Sequence, residues 1–161
     1  MTSEQKKQIE ELYLQMFETL MVYSRISFDS ISLAEEAVQE TFRIACQKPE
    51  SVCNSANPQG WLVNTLKNTI RNMNSNRATA RRIVETYLMT QFKEISFTED
   101  QINLNILYEN VADMEEFKLL CEMVIQGKSH AEMAKARNIS ISACKKRVQR
   151  AKETLQRKIK N

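Results

Sequence analysis

The sequence predicts an all-α protein, and three observations carry that prediction. Only two glycines (Gly60, Gly127) and two prolines (Pro49, Pro58) punctuate 161 residues. No long stretch alternates apolar and polar side chains at period two. Apolar residues recur instead at three-and-four spacing, the period of a helix with one buried face. With 42% apolar residues the chain has enough to pack a core, and its length suits one medium domain or two small ones.

The elements follow in order. Ile9, Leu12, Tyr13, Met16, Phe17, Leu20 and Tyr23 share one face of a helix expected from about residue 4 to 26, and that face reads as core. A turn at Phe28-Asp29-Ser30 leads to Ser32-x-x-Glu35, which has the form of a capping box. The helix behind it directs Leu33, Ala37, Val38, Thr41, Phe42 and Ala45 inward, leaving Glu36, Gln39, Glu40 and Arg43 outside. Residues 47–56 form a polar, aperiodic stretch expected to be a loop, longer than a bare connection requires. Asn57 as N-cap with Pro58 at the first helical position opens a third helix. Its inward residues are Trp61, Leu62, Thr65, Leu66 and Met73. Asn64, Lys67, Asn68, Arg71 and Asn72 lie outside, with Arg77, Arg81 and Arg82 beyond.

An acidic stretch from about Glu85 to Asp113 reads as a linker. Helical phase resumes with Leu104, Leu107 and Val111, then Phe117, Leu120, Cys121, Val124 and Ile125, ending at Gly127 as a C-cap. Ser129-x-x-Glu132 is a second capping box, opening a short helix with Met133 and Ala134 inside. Asn138 tolerates the left-handed backbone that a sharp turn needs. Ser140 then caps a helix whose inner stripe is Cys144, Val148, Ala151 and Leu155. Lys145, Lys146, Arg147, Arg150, Lys152 and Arg157 stand outside. Two helices joined by a tight turn, the second cationic on its free side, predict a helix-turn-helix shaped for the major groove.

Charge is segregated along the chain. Residues 1–60 hold 5 Lys/Arg and 9 Asp/Glu, residues 61–84 hold 5 and none, residues 85–126 hold 2 and 9, and residues 127–161 hold 11 and 2. Two cationic blocks separated by an acidic one predict two contacts with a single polyanion.

Other classes find little support. The apolar runs are far shorter than a membrane span, and MTSEQKKQIEE lacks the apolar core of a secretory signal, so a cytoplasmic protein is expected. Cys46, Cys53, Cys121 and Cys144 form no CxxC pair, and with His130 alone beside them they make a poor zinc site. Reduced thiols are expected, Cys53 the most reactive through its place in a loop. Glu36 and Glu40 have the spacing of paired carboxylates, but no nucleophile, metal-ligand cluster or phosphate loop accompanies them. Neither catalysis nor a cofactor or small-molecule substrate is expected.

The run AEEAVQETF at 34–42, followed by NPQGWL at 57–62 and Asn68, resembles domain two of bacterial sigma factors of the extracytoplasmic-function (ECF) type. Gly127-Lys128-Ser129, Glu132, Ala134, Ile139-Ser140, Lys145, Arg147 and Arg150-Ala151 resemble sigma domain four. The resemblance implies domain two over residues 1–84, a linker over 85–112 and domain four over 113–161. It implies a factor that binds core RNA polymerase and directs promoter recognition and transcription initiation. Glu36, Gln39 and Glu40 would dock on the polymerase clamp. Glu50, Ser51 and Asn54 in the loop, with Asn64, Lys67, Asn68, Arg71, Asn72 and Arg77, would meet the minus-ten element, the loop capturing a flipped base. Ser142, Lys145, Lys146, Arg147, Gln149 and Arg150 would meet the minus-thirty-five element. An inhibitory anti-sigma partner is implied as well. The chain departs from the family pattern at Asn72, where an acid is common, and at Asn74 and Asn76, where arginine is common. The competing expectation is a stand-alone helix-turn-helix regulator that never docks on polymerase. An enzyme such as a metal-dependent nuclease is the more distant one.

Overall fold

The computed structural model describes residues 1–94 and 114–161. The described residues form seven helices and no strand: α1 (Ser3–Ser27), α2 (Ile31–Gln47), α3 (Pro49–Cys53), α4 (Pro58–Glu94), α5 (Glu115–Val124), α6 (His130–Ala136) and α7 (Ile141–Lys160). The protein is all-α, as expected. Contacts divide it into two compact units, Met1–Ser75 and Asn76–Asn161. Residues 95–113, with the expected stripe Leu104, Leu107 and Val111 and the cap Asp113, lie outside the described residues.

In the first unit α1 begins with a capping box that sequence reading overlooked. The Gln5 amide donates to Thr2 Oγ1 at 3.2 Å, and the Thr2 amide donates to Gln5 Oε1 at 2.9 Å. The buried face of α1 is narrower than its apolar pattern: Ile9, Met16 and Leu20 are buried, whereas Tyr13 and Tyr23 stay 43% and 38% exposed. Helix α2 starts two residues earlier than expected, because Ser30 rather than Ser32 is the cap. Ser30 Oγ accepts from the Leu33 amide at 3.3 Å, which draws Ile31 and Ser32 into the first turn. The buried Ser24 hydroxyl donates to the Ala34 carbonyl at 3.0 Å, tying α1 to α2. The stretch expected as a loop contains α3. Pro49 occupies its first turn, where a missing N–H costs nothing, and fully buried Val52 holds it in the core. Cys53 Sγ reaches the Gln5 carbonyl at 3.9 Å and is half-buried; Cys46 is the exposed thiol instead.

Helix α4 opens as predicted, with Asn57 Oδ1 accepting from the Gly60 amide at 2.9 Å. A Cβ on Gly60 would lie 2.5 Å from Asn57 Nδ2, so glycine is what lets the cap fold over the first turn. Leu62, Leu66 and Ile70 complete the first core with Leu20, Val38 and Val52. The helix then runs past the expected end of the first domain, and Ala80, Ile83, Val84 and Tyr87 belong to the core of the second unit.

That second core gathers Phe117, Leu120, Cys121 and Val124 from α5, Met133 and Ala134 from α6, and Cys144, Val148, Ala151 and Leu155 from α7. Helix α5 ends at Val124 rather than at Gly127, and Ile125, expected inside, is 65% exposed. Gly127 takes φ +67° one turn later, and the Lys128 amide closes the end by donating to the Glu122 carbonyl at 3.1 Å. Ser129 and Glu132 form the predicted capping box at 3.2 and 2.8 Å. Asn138 sits at φ +54°, the left-handed turn residue between α6 and α7. Ser140 Oγ accepts from the Ala143 amide at 3.1 Å to cap α7.

The turn is held from below by Arg137, whose side chain is 14% exposed. Its guanidinium donates to both carboxylate oxygens of Glu122 at 3.0 and 2.9 Å and to Glu115 Oε1 at 3.1 Å. The Arg137 hydrogen bonds, more than its charge or that of Lys128, hold the Glu122 carboxyl below its ordinary value, against the opposing effect of burial. The Glu122 carboxylate hydrogen bonds in turn push the Arg137 guanidinium further up from an already high value. Burial, then the Glu122 charge, pushes the Cys121 thiol up to about 11, which keeps it protonated and inert.

A depressed carboxylate pKa means that Glu122 contributes stability above its unfolded-state pKa and loses it as pH falls through the lower folded-state value. Glu122→Gln is therefore expected to flatten the acid limb of stability against pH, measured by urea unfolding across the carboxylate range. Arg137→Ala, which takes from Glu122 and Glu115 the donor they share, is expected to cost about 2 kcal/mol at neutral pH. An unaltered acid limb in Glu122→Gln would show that the clamp contributes nothing.

Candidate nucleic-acid interface

Three surfaces carry the residues singled out from sequence. The first is the outer face of α2. Glu36, Gln39 and Glu40 fall at helical spacing, Gln39 exposed and the two acids half-buried. Glu40 is engaged by Arg43, whose Nε donates to Glu40 Oε2 at 2.7 Å. Arg43 thereby trims the acidity of this face in the free chain. Sequence reading placed both residues outside without pairing them.

The second surface is built by α2, α3 and α4. Ser51 from α3 and Asn68 and Asn72 from α4 converge on an open cleft of about 360 Å³, joined by Lys48, Trp61 and Thr69. Periodicity puts Trp61 among the inward residues; it is half-buried, packs against the first core and also lines this cleft. The feature that sequence reading missed is Thr69. It is 4% exposed, and among the described residues its hydroxyl is the buried side-chain polar atom without a hydrogen-bond partner. Other helical threonines satisfy theirs on the carbonyl four residues back: Thr41 on Ala37 at 2.9 Å, Thr65 on Trp61 at 2.8 Å. Leaving such a group unpaired costs about 1–3 kcal/mol, and Thr69 is also one of the residues lining the cleft. The signal was present in the spacing of Trp61, Thr65, Asn68, Thr69 and Asn72, which form one helical stripe on the border between inside and outside.

Glu50 and Asn54 are exposed at the two ends of α3, but they do not line the cleft. Asn64, Lys67 and Arg71 are exposed along α4, and the Lys67 ammonium stands 5.9 Å above the Tyr23 ring. Arg77 separates from this group: it lies in the second unit, half-buried, with a guanidinium nitrogen 4.0 Å from where a Cβ on Gly127 would sit. Arg81 also turns to the second unit, donating to the Val124 carbonyl at 2.9 Å.

The third surface is the outer face of α7. Ser142, Lys146, Arg147, Gln149 and Arg150 are exposed, and Lys145 is half-buried. Burial lowers the Lys152 ammonium from its ordinary value, so that residue is a flank of the face rather than its centre. Gln149 Nε2 donates to Glu153 Oε1 at 3.0 Å, which places an acid among the cations and occupies the amide in the free chain. Glu153 was not singled out from sequence; four residues beyond Gln149, it shares its face. The exposed group presents cations for phosphates and an amide and a hydroxyl for base edges.

Among the described residues no group of three or more His, Cys, Asp or Glu is placed to hold a metal ion, and no helix is long and apolar enough to cross a membrane. No family model, curated protein or solved structure matches the chain.

Proposed function

We propose that the chain is a transcription initiation factor of the sigma type, closest to the ECF group. Its first domain docks on core RNA polymerase through Glu36, Gln39 and Glu40, and opens the minus-ten element. Its second domain lays α7, the recognition helix of a helix-turn-helix, in the major groove of the minus-thirty-five element. It acts in the cytoplasm by binding alone and makes or breaks no covalent bond. The sigma resemblance adds an anti-sigma partner that silences it.

The observation that carries this reading is the cleft lined by Ser51, Asn68, Thr69, Asn72 and the half-buried indole of Trp61. A base turned out of the duplex brings donors and acceptors on its Watson–Crick edge and a flat face for an indole. The cleft offers the complement of both. A regulator that only gripped duplex DNA through α7 would have no use for it.

Thr69→Val is expected to raise the stability of the first unit by about 1 kcal/mol, because the unpaired buried hydroxyl is gone, while reducing promoter opening. Urea unfolding and permanganate footprinting measure the two. Opening unchanged in Thr69→Val would remove the cleft from the reaction. Lys146→Ala and Arg150→Ala are each expected to weaken promoter binding and to reduce its salt dependence by about one unit of slope; filter binding across a salt series checks this. Core polymerase should be captured by the wild-type chain and not by the Glu36→Arg, Glu40→Arg double variant. Capture by neither would leave a stand-alone helix-turn-helix regulator.

A further inference from the structure

The structure points to a nucleic-acid contact on a helix that the motifs leave unassigned. Tyr23 belongs to the apolar pattern of α1, yet it is 38% exposed. Its ring lies under the Lys67 ammonium at 5.9 Å, so α1 brings an aromatic face to the cationic side of α4. Lys67 is flanked one turn away by Asn64 and Arg71, both exposed, and no acidic residue occurs between 61 and 84. On α1 itself the positions one turn from Tyr23 are Thr19, Leu20, Ile26 and Ser27, none of them acidic. An exposed ring beside a track of cations and amides is the arrangement with which proteins hold single strands, the ring stacking a base and the cations following the phosphates.

We propose that Tyr23 is a stacking platform for an unpaired base, with Lys67 as its gate. In the free chain the ammonium covers the ring face through a cation–π contact, which is weak at an exposed site. An arriving strand supplies a phosphate that takes the ammonium, and a base takes the vacated face. The exchange keeps Lys67 partnered in both states and keeps the ring covered in both. It rests on the initiation-factor reading, since that reading supplies the melted strand, but it assigns a residue and a helix outside the cleft and its neighbouring segment.

The test uses the full chain and a short fluorescein-labelled single-stranded deoxyoligonucleotide, followed by anisotropy across a salt series. Tyr23→Leu is expected to weaken binding on the order of tenfold with helicity retained, the equivalent of one lost stacking contact. Tyr23→Phe, which keeps the ring, should bind as the wild type. Lys67→Ala should lower the salt slope by about one unit. Wild-type affinity in Tyr23→Leu, or no affinity of the wild type for the single strand, overturns the proposal. Capture of core polymerase is measured in parallel. If capture persists while Tyr23→Leu binds like wild type, the stacking role falls and the initiation factor stands. If the wild type captures no polymerase yet loses single-strand affinity on Tyr23→Leu, the initiation reading falls and the stacking role stands.

Discussion

The C-terminal unit depends on one guanidinium. Arg137 sits at the end of α6, immediately before the left-handed turn at Asn138, and its fork spans Glu122 and Glu115 on α5. Burying a charge this far is unfavourable unless hydrogen bonds replace the lost water, and here three side-chain contacts do so. An apolar residue of similar volume could pack as well. It could not prescribe the distance between the α6–α7 turn and α5, because apolar contact is non-directional and a bidentate pair is not. The pose of α7, and with it the direction of Lys146, Gln149 and Arg150, follows from where that turn is pinned.

The first unit is stabilised differently. The centre of its core is aliphatic, with Leu20, Val38, Val52, Leu62 and Leu66 all at or near full burial and Phe28 and Phe42 completing it. The polar ties are short and internal: Ser24 to the Ala34 carbonyl, Ser30 to the Leu33 amide, Asn57 to the Gly60 amide. Against that background the single unsatisfied hydroxyl of Thr69 stands out. Leaving it unpaired lowers the stability of this unit.

Much of the fold was legible before any coordinate. Helix starts at Asn57, Ser129 and Ser140 follow from cap chemistry, which is local and needs only a side-chain oxygen within three residues of the amide it accepts from. The inner stripe of α7 follows from period alone, since Cys144, Val148, Ala151 and Leu155 face one way whatever lies opposite. Where two caps competed, as with Ser30 and Ser32, local chemistry could not choose. The buried Ser24–Ala34 contact sets where the chain enters α2, and that is a contact across ten residues. Five residues carry no period, so the sequence predicts a loop where α3 stands, and only Val52 entering the core makes them helical.

The sequence by itself determined the helical class, the segregation of charge, most of the caps and the cationic face of α7. All of these depend on residues within a few positions of one another. Tertiary structure alone decided that Trp61 lines a cleft, that Thr69 lacks a partner, that Arg77 and Arg81 turn to the second unit, and that Tyr23 meets Lys67. Each of those is a relation between side chains that the backbone brings together from separate elements or, for Thr69, fails to bring together. Periodicity places a residue on a face but does not say what the next helix sets against it.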